Sequence, residues 1–193
     1  MNKSNQLSGW WDESRQGNVA SFGCIHHELY PALYHYLLKI IRDEDICQDI
    51  LQDLFIKMWE RKENFGPIYN LKVYFFKSAR SMAINYIKSH KIHDSLTDDH
   101  QHINIVFSQE EVMVNFENNK EVNRLLSAAL NTLPGRQREM IFLKYFDGWN
   151  YDQIAEVTGI KYQSVVNHVH RAILQLRTEL TTDQQLRNCR MAV

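Results

Sequence analysis

Apolar residues in this chain recur at intervals of three and four and nowhere settle into sustained alternation. That is the period of an amphipathic helix, not of a strand. Phe22, Ile25, Leu29, Leu33, Tyr36, Leu37 and Ile40 form one stripe, and Ile46, Ile50, Leu54 and Met58 a second. Two or three helices are therefore expected between Val19 and Trp59. Asn64-Phe65-Gly66-Pro67 interrupts the pattern. Glycine admits dihedrals closed to other residues, and proline bars the residue before it from the helical region. A further helix is expected from about Leu71 to His90.

From His93 the character changes. Asp94, Asp98, Asp99 and Glu110 lie in a polar stretch with only scattered apolar residues, which reads as a linker over 93–110. Ser108-Gln109-Glu110-Glu111 fits a capping box, so a helix restarts there and runs to about Thr132. Pro134 suits the first turn of the next helix, to about Tyr145. Asp147-Gly148 is a turn signal. A short helix, Tyr151 to Thr158, is expected with Asn150 as its cap. Gly159 turns the chain into a last helix from about Tyr162 to Leu180. The residues beyond, 181–193, are polar and read as a tail, and 1–18 as a polar N-terminal segment. With only 7 Gly and 3 Pro to punctuate it, the chain is expected to be all-α, in two small helical domains.

Composition adds little and excludes more. A chain of 193 residues with 44% hydrophobic positions can fold. Its formal net charge of -1 argues neither for nor against nucleic acid, so local charge must decide. Met1 to Ala20 has no apolar run of the signal-peptide kind, and no stretch nears the roughly 20 apolar residues of a membrane span. A cytoplasmic protein without membrane insertion is expected. Cys24, Cys47 and Cys189 are far apart, with no CxxC pair, so neither a disulfide framework nor a zinc ribbon is indicated. His26-His27 near Cys24 is no better, because adjacent helical residues point about 100° apart and ligate poorly together. No metal and no cofactor are expected.

The informative pattern is a short helix, a Gly-containing turn and a second helix with apolar residues at fixed offsets, the helix-turn-helix arrangement. Ile154, Ala155, Val157, Ile160, Val165, Val169 and Leu176 supply inward positions, and Ala155 and Ala172 are small where helices cross. The outward face of the second helix carries Tyr162, Gln163, Val166, Asn167, His170 and Arg171. Gln and Asn pair with adenine edges, Arg with guanine or phosphate, and Val touches a thymine methyl. Arg136, Arg138, Lys144 and Lys161 are candidates for phosphate contacts.

The first half carries a second basic element. Leu71 to Lys91 holds Lys72, Lys77, Arg80, Lys88 and Lys91 and no acidic residue. Lys77, Ser81, Ile84 and Lys88 share one side, with Arg80 and Asn85 at its edges. Tyr74, Phe75, Met82 and Tyr86 accompany them, Phe75 as core; Tyr86 fits core and surface equally. A basic stripe interleaved with aromatics suits a nucleic-acid strand held by phosphate attraction and base stacking. Ahead of it, Asp49 to Phe55 and on to Trp59 segregates acidic and amide side chains from apolar ones, a surface suited to protein docking.

At these residues the chain resembles sigma factors of the extracytoplasmic-function class, bacterial factors with two domains called region 2 and region 4. Gln48 to Trp59 resembles the family's polymerase-binding helix and Ala79 to Lys88 its -10 element helix. Leu130 to Glu139 resembles the opening of region 4, and Tyr151 to Ala172 its -35 helix-turn-helix. The resemblance implies region 2 over 19–92 and region 4 over 111–180. It implies docking on core RNA polymerase through Asp49, Gln52, Asp53 and Phe55, with Trp59 closing that helix. It implies capture of the -10 strand of promoter DNA by Lys77, Arg80, Ser81, Ile84, Asn85, Lys88 and the loop from Asn64 to Asn70. Tyr162 to Arg171 would enter the -35 major groove, the acidic linker would follow the polymerase's RNA path, and an anti-sigma factor would hold the protein inactive. The chain departs from the family at Ser81, where Asn is usual, at Asn85, where Asp is frequent, and at Val166 and His168, where a basic residue is frequent. Cys47 replaces a common Ala.

Two other classes share parts of the pattern. A helix-turn-helix regulator with an N-terminal sensor domain would bind duplex DNA unaided, but an acid-free basic helix does not suit a sensor. A recombinase would need a Ser or Tyr nucleophile among clustered arginines, or paired carboxylates for a metal. Arg80 is isolated, and Asp49 with Asp53 lies on a face better suited to docking. No catalytic residue is expected.

Overall fold

The computed structural model describes residues 3–66, 68–90, 103, 105–115 and 120–191, and side chains throughout these except at 3–4, 113–115 and 182–191. Lys91 and linker residues 93–102 lie outside them. Every regular element among the described residues is helical, and the chain divides into two compact units.

The first unit packs α1 (Lys3–Arg15), α2 (Val19–Ile41), α3 (Glu44–Glu60) and α4 (Leu71–His90) around one core. Local chemistry sets the boundaries. Asn18 caps α2 by accepting from the Ser21 N–H, and Asp43 caps α3 by accepting from the Ile46 N–H at 3.1 Å. Glu44 and Asp45 then place negative charge in the first turn of α3, where the helix dipole favours it. The expected stripe of α2 is buried from Ile25 to Ile40, with Phe22 half-buried, and Ile50, Leu54 and Met58 are buried on α3. The tilted ring pairs Tyr36–Phe76, at 5.4 Å between centroids, and Phe55–Phe75, at 5.1 Å, join α4 to them.

Sequence analysis assigned no element to residues 1–18, yet α1 packs on α2 and α4 with Leu7, Trp11 and Ser14 buried. The Ser14 hydroxyl is satisfied within α1 by the Trp10 carbonyl at 2.6 Å, and Ser21 at the start of α2 donates to the Glu13 carboxylate.

Cys47 is buried at the centre of this core, and burial pushes its thiol up to about 11 from an ordinary 9.0. A pKa raised on folding stabilises fully below the unfolded value and loses that contribution as pH climbs through the folded one. The unfolding midpoint in urea should therefore fall more steeply between pH 9 and 11 in the wild type than in Cys47→Ala. Parallel pH profiles would show that the thiol is solvated.

The second unit contains α5 (Gln109–Asn115), α6 (Lys120–Thr132), α7 (Gly135–Ile141), α8 (Tyr151–Thr158) as far as Ala155, and α9 (Tyr162–Met191). α7 continues as a π-helical turn, Phe142–Phe146, closed by the Asp147 N–H on the Phe142 carbonyl. Ser108 accepts from the Glu111 N–H at 3.2 Å, so the expected cap starts α5.

Two expectations need correction. The end of the expected linker is a strap on this unit: Ile103, Ile105 and Phe107 are buried, and Phe107 lies 4.9 Å from the Phe146 ring. The Asn131 side chain pairs with both the N–H and the carbonyl of Phe107, each at 2.9 Å, as a neighbouring strand would. Nor does the last helix end at Leu180: α9 runs to Met191, because 181–190 contains neither Gly nor Pro to stop it.

Candidate nucleic-acid interface

The helix-turn-helix is built from its caps inward. Asn150 accepts from the Gln153 N–H at 2.9 Å while the Gln153 side chain accepts from the Asn150 N–H at 3.0 Å, a reciprocal box that fixes the start of α8. Gly159 ends the helix in the left-handed region at φ 71°, which costs a glycine nothing. The Lys161 carbonyl then accepts from Ser164 and Val165, launching α9. Val165, Val169 and Ala172 are buried on one side of α9 and Ile154 and Val157 are buried on α8, whereas Ala155, Ile160 and Leu176 are only half-buried.

The opposite side of α9 presents Tyr162, Gln163, Asn167, His170 and Arg171 to solvent, with Val166 half-buried at its edge. Gln163 donates to the Asn167 side chain at 3.3 Å, so the two amides orient one another and present a paired donor and acceptor. That is the hydrogen-bonding pattern an adenine edge offers in the major groove. Lys161 is exposed beside them, and Lys144 sits 4.6 Å over the Tyr151 ring, which meets Tyr162 edge-on at 6.1 Å. Arg136 and Arg138 are half-buried on α7, and Arg138 donates to the Asn131 carbonyl at 3.3 Å. Expected as a phosphate contact, Arg138 here ties down the C-terminal end of α6.

On α4, Lys77, Ser81, Asn85 and Lys88 are exposed and fall on successive turns of one face. Arg80 and Ile84, expected with them, are corrected to the interior, at 5% and 6% exposure. α4 packs against α1, α2 and α3, and three neighbours leave a narrower free stripe than one packed side would. Phe75 is core, as expected, while Tyr86 is half-buried and stacks on His90 at 4.1 Å. In the loop before α4, Asn70 accepts from the Val73 N–H at 3.2 Å and so starts the helix. Tyr69 beside it is 96% exposed. The resemblance implies a role for the loop from Asn64 to Asn70, but no periodicity marks a lone aromatic there, and sequence reasoning does not single out Tyr69 itself.

Asp49, Gln52 and Asp53 share the exposed side of α3 with Ile56. Asp53 meets Lys57 at 3.3 Å, an exposed pair worth little in water. Phe55 is corrected from docking surface to core, at 5% exposure. Its ring is enclosed by His26 at 4.6 Å, Phe75 at 5.1 Å and Phe22 at 6.1 Å. Trp59 is half-buried against Phe22, with the Lys62 ammonium 3.9 Å over its ring.

Among the described residues no group of three or more His, Cys, Asp or Glu could hold a metal ion, and no helix is long and apolar enough to cross a membrane.

Comparison with known proteins follows this division. The family model described as Sigma-70 region 2 matches residues 25–92, and that described as Sigma-70, region 4 matches 123–176. The ECF RNA polymerase sigma factor SigL of Mycobacterium tuberculosis is 27% identical over 164 residues, covering 84% of this chain and 90% of SigL. The ECF RNA polymerase sigma factor SigM of Bacillus subtilis is 23% identical over 145 residues, covering 75% of this chain and 86% of SigM. Among solved structures, CnrH in complex with the cytosolic domain of CnrY superposes with a TM-score of 0.60 at 18% identity, over 92% of this chain and 99% of that one. The sigma factor RpoE of Bartonella quintana, in complex with the anti-sigma factor NepR, gives 0.59 at 22% identity, over 86% and 99%. Both structural likenesses bear on the fold. With region 2 and region 4 in this order on one chain, the protein belongs to the sigma-70 family, in its extracytoplasmic-function class.

Proposed function

We propose that the chain docks on core RNA polymerase through the exposed face of α3, at Asp49, Gln52, Asp53 and the open edge of Trp59, and directs the enzyme to promoters. Lys77, Ser81, Asn85 and Lys88 of α4 engage the opened -10 element, and Tyr162, Gln163, Val166, Asn167, His170 and Arg171 of α9 read the -35 element. Lys144, Lys161 and Arg136 hold phosphates alongside. The observation that carries this reading is the solvent-exposed stripe on α4, cationic and without an acidic residue, in one chain with a capped helix-turn-helix. With a net charge of -1, phosphate attraction alone gives weak DNA binding, and polymerase supplies the remainder. Transcription and its enzyme place the protein in the cytoplasm. Similarity to CnrH and RpoE, solved with CnrY and the anti-sigma factor NepR, supports control by an anti-sigma factor that covers these surfaces.

Run-off transcription with core polymerase on fragments of the protein's own genome tests this. Transcripts from a discrete set of sites only when the protein is present are expected. No transcripts, with no co-migration with core enzyme, would favour a regulator that binds duplex DNA unaided. Reversing charge at Asp49→Lys with Asp53→Lys should weaken core binding by at least about tenfold in a pull-down against labelled core, with the helical circular dichroism unchanged.

A further inference from the structure

The strap and the π-helical turn of the second unit meet at Phe107. Its ring, 2% exposed, lies 4.9 Å from the Phe146 ring and 6.4 Å from the Phe142 ring. Those two residues begin and end the π turn, and their own rings lie nearly parallel, at 11° and 6.0 Å. The turn is wider than an α turn, because the Phe142 carbonyl accepts from the Asp147 N–H, at 3.1 Å, five residues on. Such turns are rare inside helices and recur where function requires them. Here the Phe107 ring braces both ends of one. The strap is fixed in its turn by Asn131, whose side chain holds the Phe107 N–H and carbonyl, and by the burial of Ile103 and Ile105.

Lys144 stands midway between Phe142 and Phe146. Residues two apart on a helix do not face each other, so Lys144 leaves the turn on the side away from Phe107. There its ammonium lies 4.6 Å over the ring of Tyr151, the first residue of α8. Tyr151 meets Tyr162, the first residue of α9, edge-on at 6.1 Å. The cation is thereby held beside the start of the helix that presents Gln163 and Asn167, where the phosphates bordering a groove-bound helix pass. Were the turn to close to α geometry, Phe146 would take over the Phe142 carbonyl. Each residue would then step by about 100°, more than in a wider turn, and Lys144 would swing off Tyr151.

Resting on the reading of Lys144 as a phosphate contact, we propose that Phe107, held by Asn131, is a positioning residue for -35 binding: it keeps the π turn wide and so aims Lys144 at a promoter phosphate. The strap touches no DNA in this account. Its contribution to affinity passes entirely through Lys144.

The test uses holoenzyme reconstituted from the full chain and core polymerase. Its probe is a promoter fragment recovered by run-off transcription, with affinity followed across a range of salt. Lys144→Gln should lower the slope of log affinity against log salt by about 0.9, one phosphate's share, and bind about five- to tenfold more weakly at about 0.1 M salt. Phe107→Leu, which keeps apolar volume but removes the ring, should lose several-fold with a fall in slope of the same sign. Asn131→Leu, which releases the strap from its backbone, should do the same. Added to Lys144→Gln, neither should weaken binding further. Equal losses with and without Lys144, at an unchanged slope, would mean that the strap only stabilises the unit, and would overturn the proposal. Wild-type binding by both strap variants would also overturn it and leave Lys144 in its role. Wild-type binding by Lys144→Gln would overturn that role, and the proposal with it, as would the failure of holoenzyme to select any fragment.

Discussion

Truncating Trp11 to alanine is expected to destabilise the first unit by about 3–5 kcal/mol, the range for removing a large aromatic from a packed core. Trp11 is 1% exposed and among the largest fully buried side chains, and it is the largest buried side chain of α1. A domain stable by about 5–15 kcal/mol keeps little after such a loss. Urea unfolding read by hydrogen exchange at amides of α2 and α4 should show protection falling by about two to four orders of magnitude, with α9 unaffected. A change under about 1 kcal/mol would mean that α1 stands off the unit in solution. Trp11→Phe should be much milder. The indole N–H has no hydrogen-bond partner among the described residues, so its removal abolishes no bond, and an aromatic ring still fills most of the space.

That α1 escapes sequence reading has a physical reason. Its burial rests on Leu7 and Trp11 in an otherwise polar segment, too few residues to make a stripe. α2 and α3 are legible because every turn of each repeats its apolar position, and α8 and the start of α9 because Asn150 and Gly159 mark them by backbone chemistry alone. The strap at Ile103, Ile105 and Phe107 alternates with period two over a span too short to separate from scattered apolar residues. Phe55, Arg80 and Ile84 fail for another reason. Charge identifies which side of a helix faces water, but the width of that side depends on how many neighbours pack on it, and that is tertiary information. Periodicity thus located the faces of α3, α4 and α9, and packing decided which of their residues a partner can reach.

Gly135→Ala is expected to expel the strap. A Cβ on Gly135 would lie 2.3 Å from the carbonyl oxygen of Ile103, far inside contact distance, and neither atom is on a side chain that could swing away. Either the strap or the first turn of α7 must move. Overpacking of this kind costs about 1–3 kcal/mol, and a strap that leaves also gives up both Asn131 bonds to Phe107. The amides of Phe107 and its neighbours should then lose protection from exchange, and the melting temperature of the second unit should fall by several degrees. Asn131→Leu reaches the same state from the other end, leaving the Phe107 N–H and carbonyl without their partner at about 1–3 kcal/mol. Because each substitution releases the same element, their costs should not add: the double variant should be no less stable than the worse single one. Additive losses would mean that the strap stays seated in at least one of them and that Asn131 and Gly135 hold it independently.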